Sequence, residues 1–121
     1  MEIPFYKMQG AGNDFILIDN QPLGFSSEEL AEFALRVCTR RVSVGADTLI
    51  VIEAPRGEGD FYARFFNADG SEAEMCGNGA RCVARLAYEQ GLAEEYMLIE
   101  TIAGTVPAER LDQRTYRVQL N

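Results

Sequence analysis

Cys76 stands directly before Gly77-Asn78-Gly79 and a run, Ala80 to Gln90, that has helical periodicity. That order places a thiol at the start of a helix. The unbonded N–H groups of a first turn bind anions, and the helix dipole favours a thiolate near neutral pH. The glycines on either side of Asn78 are expected to let a small substrate approach the backbone closely. One short segment could therefore hold a carboxylate and supply a base. The plainer alternative is that Cys76 is a small core residue, which is what cysteine at such a position most often is.

The rest of the composition narrows the chemistry. The 121 residues include three cysteines, Cys38, Cys76 and Cys82, and no histidine. Without histidine there is no Ser-His-Asp or Cys-His machinery, and the commonest metal ligand is missing. An odd number of cysteines with no CxxC argues against a disulfide framework or a zinc ribbon, so no metal site is expected. Cys82, inside the helical run, and Cys38 both read as packing. Proton transfer is left to Cys, Asp, Glu, Tyr, Lys7 or a held water. Gly77-x-Gly79 lacks a third glycine and a strand–helix–strand setting, so it does not read as a nucleotide loop. Asn13 and Asn67 fall in turns, where asparagine is common for conformational reasons alone. The net charge is −8 and Lys7 is the only lysine. Such a surface repels phosphate backbones, and no nucleic-acid partner is expected. No apolar run is long enough for a bilayer, and Met1 to Lys7 lacks the regions of a signal peptide. The expected location is the cytoplasm, with no membrane partner.

The elements that must position this segment follow from periodicity. The length, with 47% hydrophobic and 25% charged residues, suits one compact domain over 1–121. Residues 3–8 and 14–19 read as strands around a turn at Gly10-Ala11-Gly12-Asn13. Ser26 with Glu29 fits a capping box, so a helix should run over about 27–38 with Leu30, Phe33, Ala34 and Val37 on one face. Residues 49–53 and 61–67 read as a hairpin across Pro55 to Gly59. Residues 96–101, 104–109 and 115–120 are the closing strands. In the helix over about 77–90, Arg81, Arg85 and Glu89 make one narrow polar stripe and nearly everything else is apolar. A helix like that is buried on most sides, and in a strand-rich chain the simple solution is a sheet curved around it. Gly91 should stop it.

At four places the residues resemble the motifs of one known family, the diaminopimelate epimerases. Met8-Gln9-Gly10-Ala11-Gly12-Asn13-Asp14-Phe15 is similar to the family's opening motif, and Val44-Gly45-Ala46-Asp47-Thr48-Leu49-Ile50 to its second. Phe66-Asn67-Ala68-Asp69-Gly70-Ser71-Glu72 through Met75-Cys76-Gly77-Asn78-Gly79-Ala80-Arg81-Cys82 resembles the long third motif, around the first catalytic cysteine. Thr101-Ile102-Ala103-Gly104 resembles a shorter fourth. The order and spacing match the N-terminal half of such an enzyme. Gln9 departs from a usual histidine, and Arg41 and Ser43 from a usual His and Gly.

The resemblance implies an α+β half-epimerase fold: a curved, mixed, mostly antiparallel sheet wrapped around a central helix, with the second helix outside. It implies an isomerase that interconverts LL- and meso-diaminopimelate without pyridoxal phosphate or any other cofactor, on the lysine and peptidoglycan-precursor route. Two cysteines on opposite faces of the α-carbon would exchange protons. Cys76 would be one of them; Gly77 and Asn78 would contact the substrate through the helix start. Asn13 and Asn67 would bind its polar ends, and Thr48 would occupy another substrate position, where the family often has Gln or Gly. Family members are about twice as long, and the second cysteine belongs to the other half. Neither Cys38 nor Cys82 fits that cysteine's motif. The expectation is a chain incomplete for turnover by itself, which meets a second half-domain or self-associates through the cleft face. Two alternatives stand beside this: a related racemase or isomerase acting on another amino acid, and a non-catalytic binding module of the same fold.

Overall fold

The computed structural model describes residues 3–10, 12–38 and 47–119. One mixed sheet runs in the order β1-β2-β3-β4-β6-β7-β8, with a short β5 paired to β4. The strands are β1 (Tyr6–Gly10), β2 (Asn13–Asp19), β3 (Thr48–Glu53), β4 (Phe61–Asn67), β5 (Glu72–Ala73), β6 (Tyr96–Thr101), β7 (Gly104–Arg110) and β8 (Tyr116–Val118). Among the described residues two helices, α1 (Ser27–Val37) and α2 (Gly77–Glu89), accompany the sheet.

The topology explains why the helices lie on opposite faces. β2 and β3 are parallel and joined through α1; β4 and β6 are parallel and joined through α2. β4 runs antiparallel to β3. Both crossovers step the same way along the sheet, so with strand direction reversed, one hand of crossover requires opposite faces. Strand alternation then sorts the core into two layers. Phe15, Leu17, Ile50, Ile52, Ala63 and Phe65 face α2. Their neighbours Ile16, Ile18, Leu49, Val51 and Phe66 face α1. Buried on both faces, β3 and β4 read as near-continuous apolar runs rather than alternating ones.

The sheet curls around α2, which touches β1, β2 and β3 on one side and β7 and β8 on the other. Gly79, Ala80, Cys82, Val83, Ala84, Leu86 and Ala87 of α2 are buried, while Arg81 and Glu89 are exposed and Arg85 half-buried, as the polar stripe predicts. The Gly91 N–H returns to the Tyr88 carbonyl and ends the helix. α1 has the predicted capping box: Ser26 Oγ accepts from the Glu29 N–H, and Glu29 Oε1 accepts from the Ser26 N–H.

Several boundaries differ from the sequence expectation. β1 begins at Tyr6 rather than residue 3 and runs on to Gly10, because Gly10 pairs with Asn13. Asn13 is thus the first residue of a strand and Asn67 the last of another, not turn residues proper. α1 ends at Val37, with Cys38 as its cap. β8 is only Tyr116–Val118. β5 is an addition: the chain turns at residues 67–71 and pairs back on β4, Ala73 opposite Phe65 and Glu72 opposite Phe66. Two residues are too few to carry a period. Arg40, Arg41, Ser43 and the Val44 to Ala46 stretch lie outside the described residues.

Candidate functional site

Cys76 is the N-cap of α2, with extended backbone (φ −108°, ψ 151°). Its sulfur accepts a hydrogen bond from the Gly79 N–H at 3.3 Å, and its carbonyl accepts from the Ala80 N–H at 2.9 Å. The residue is exposed, whereas Cys38 and Cys82 are buried. The core-residue alternative for Cys76 therefore falls, and the packing role expected of the other two holds. The N–H groups of Gly77 and Asn78 have no acceptor among the described residues, as the first positions of a helix leave them. An accessible thiol and two free donors thus share one helix start.

Gly79 serves a different purpose from the one its sequence context suggests. A Cβ there would lie 2.9 Å from Phe65 Cε2, 3.1 Å from the Cys76 sulfur and 3.2 Å from Ile50 Cδ1. The absent side chain lets the first turn of α2 sit directly on the sheet and close against its own N-cap, rather than opening the backbone to a ligand. The Asn78 side chain is also engaged within the helix, its Oδ1 accepting from the Arg81 guanidinium.

The contact at Gly79 registers the helix start against one end of the sheet. Ile50 pairs with Phe65, and the next register row outward on the same face is Phe15–Thr48–Asn67. Thr48 and Asn67 are each two residues from an α2-facing residue, and Asn13 is two from Phe15, so all three lie on the α2 face. On β2, β3 and β4 alike, the apolar inward row ends in a polar residue at the end where α2 begins. The structure brings Asn13, Thr48, Asn67, Gly77, Asn78 and Cys76 to one end of the molecule. Asn13 and Asn67 are exposed and Thr48 is half-buried.

The turn beyond Asn67 is built to hold it. Its N–H donates to the Ser71 carbonyl at 2.8 Å and its Nδ2 to Ser71 Oγ at 3.1 Å. The Ser71 hydroxyl and N–H both donate to Asp69, at 2.6 and 2.9 Å, and hold that carboxyl below its usual range. Gly70 has φ +88°, and a Cβ there would also lie 2.9 Å from the Ala31 carbonyl of α1, so the turn packs against backbone that cannot yield. At the other hairpin, Gln9 Nε2 donates to Asp14 Oδ1 at 2.8 Å, and the Asp14 N–H donates to Asp47 Oδ2 at 2.8 Å. Gln9 thus supports the strand that presents Asn13.

Two buried charges escaped the sequence reading. Arg64 and Glu100 are 8% and 7% exposed. Neither shows a motif spacing, since their partners are made by the fold. A charged residue inside an otherwise apolar strand, as in Phe61-Tyr62-Ala63-Arg64-Phe65-Phe66, is the signal that could have found Arg64.

Comparison with known proteins places this geometry in context. A family profile described as diaminopimelate epimerase matches residues 5–120. A diaminopimelate epimerase from Hydrogenobaculum sp. is 47% identical over 94% of this chain and 44% of its own length. One from Aquifex aeolicus is 45% identical over 96% of this chain and 44% of its own. The chain thus spans less than half the length of these relatives. Among solved structures, a Bacillus anthracis phenazine biosynthesis protein of the PhzF family superposes with TM-score 0.72 at 22% identity, over 98% of this chain and 40% of that one. A methylitaconate-delta-isomerase superposes with TM-score 0.73 at 17% identity, over 95% and 36%. These distant structures share the curled α+β fold.

Proposed function

The chain belongs to the diaminopimelate epimerase family, and we propose that it supplies one half of a cleft that interconverts LL- and meso-diaminopimelate, with Cys76 as one of two acid–base thiols. The observation that carries this reading is the exposed Cys76 sulfur at a helix start whose Gly77 and Asn78 N–H groups have no acceptor among the described residues. The α-proton of an amino acid is a very weak acid. Its removal places negative charge on the adjoining carboxylate, and fixed N–H donors that meet this charge stabilise the transition state more than the ground state. The Gly77 and Asn78 amides grip the carboxylate, and the Cys76 thiolate takes the proton from the near face of the α-carbon. A thiol on the opposite face, from the second half, returns a proton there; in the reverse direction the roles exchange. Asn13, Thr48 and Asn67, ranged along the same end of the sheet, hold the substrate's polar ends. No cofactor is needed. The partner is a second half-domain, and the location is the cytoplasm.

The test uses the chain completed by a second half from a full-length relative. In D2O the completed enzyme should place deuterium on the α-carbon of diaminopimelate, and Cys76→Ser should slow this by ~10²–10⁴-fold. Unchanged incorporation by the variant would end the assignment. Faster incorporation into another amino acid than into diaminopimelate would instead favour a related racemase.

A further inference from the structure

Among the described residues Arg64 is the one buried arginine, and it lies on the side of the sheet away from Cys76. Its guanidinium forks onto Glu72: Nε donates to Oε2 at 3.1 Å and Nη2 to Oε1 at 2.8 Å. Nη2 also donates to Ser27 Oγ at 2.9 Å, and Nη1 reaches Glu53 Oε2 at 3.5 Å. Its pKa is raised above the usual value, first by the Glu72 hydrogen bond, so the group stays charged. Glu72 is the first residue of β5, a strand of two residues held to β4 by two register pairs. A ladder that short is weak alone. Yet β5 is where the chain leaves the turn below Asn67 and heads for Cys76, four residues on.

We propose that Arg64 is a positioning residue for Cys76: through its fork on Glu72 it clamps β5 to β4 and so sets where the chain enters α2 and where the N-cap sulfur stands. The proposal rests on the reading of Cys76 as the reacting thiol, but concerns only its placement. Arginine suits this role because two parallel hydrogen bonds fix direction as well as distance, which a lysine's single ammonium does not. The contacts to Ser27 and Glu53 serve α1 and β3 instead, so they provide internal controls.

Site-resolved amide hydrogen exchange on the full chain separates clamp from general support. The reporters are the Gly79 N–H, bonded to the sulfur, and the Ala80 N–H, bonded to the Cys76 carbonyl. Glu72→Gln and Arg64→Lys should each raise exchange at these two amides by about threefold or more relative to Val83 and Ala84 of the same helix. Ser27→Ala should leave that ratio unchanged. An unchanged ratio in folded Glu72→Gln, or a rise shared equally by Val83 and Ala84, would overturn the proposal. Should Arg64→Lys fail to fold, Glu72→Gln decides, since it keeps an oxygen facing the fork. Exchange reads the placement of the segment and not its chemistry. If Cys76→Ser leaves turnover intact while exchange responds as stated, the catalytic reading fails and the clamp stands.

Discussion

Three cysteines in one small fold differ by where the backbone leaves them. Cys76 caps a helix in the open, Cys38 caps another against the core, and Cys82 faces the sheet from within α2. Burial, and then the neighbouring Cys76, push the Cys82 thiol upward, so it stays protonated well past neutral pH. Iodoacetamide at pH 7.5, followed by peptide mass spectrometry, should therefore modify Cys76 while Cys38 and Cys82 stay unalkylated until the chain is unfolded. Comparable labelling of all three in the folded chain would contradict the assignment of burial. Gly79 gives a second test at this scale. In Gly79→Ala, the added methyl gains helix propensity but collides with Phe65, Ile50 and the sulfur. Overpacking of this kind costs ~1–3 kcal/mol against ~1 kcal/mol gained. The chain should lose stability on denaturant unfolding, whereas a gain would mean the contact is looser than described. The placement of Cys76 at a helix start was legible in the sequence, because the Cys-Gly-Asn-Gly order leads into a run of helical period. The purpose of Gly79 was not, since its partner Phe65 arrives from a strand fourteen residues earlier.

At the scale of elements, what was readable followed one rule: period and caps show, tertiary partners do not. Ser26 and Glu29 marked the α1 start, and Arg81, Arg85 and Glu89 marked the one wet face of α2, because these patterns are local. Thr48 and Asn67 could be named as site residues only through resemblance, although their register pairing also makes them neighbours. β5 was invisible, and so was the anchor of the Pro55 to Gly59 connection, because each is held from elsewhere. Glu100 of β6 shows the second case. Its carboxylate accepts from the Arg56, Gly57 and Gly59 N–H groups at 2.6, 2.8 and 2.7 Å, tying down the β3–β4 connection. These bonds, those from Arg56 and Gly59 foremost, hold its pKa below the ordinary glutamate value. A carboxylate with a depressed folded-state pKa adds stability that is complete above the unfolded value and disappears as pH falls through the folded one. Glu100→Gln should accordingly be less stable than the parent at neutral pH, and its stability should fall less steeply below about pH 4. Parallel stability–pH curves for the two proteins would refute the clamp.

The whole molecule is a curled sheet closed around one helix, with its polar inward residues gathered at the end where that helix starts. On the proposed reading, the opposite side of a substrate held there falls to the second half-domain, and this chain matches 44% of the length of its Hydrogenobaculum relative. That division suits two-sided proton transfer. One thiol approaches one face of a carbon, and a second face needs a second wall. It also accounts for a Cys76 that is exposed here, since water exclusion around the carbanion would come only with closure. The most direct measurement of whether thiol and amides form one substrate site follows Cys76 and its neighbours together in the completed enzyme. Saturating diaminopimelate should protect Cys76 from iodoacetamide and, in the same titration, shift the Gly77 and Asn78 amide resonances with one shared dissociation constant. Alkylation of Cys76 at an undiminished rate under saturating substrate, with those two resonances unmoved, would contradict the account.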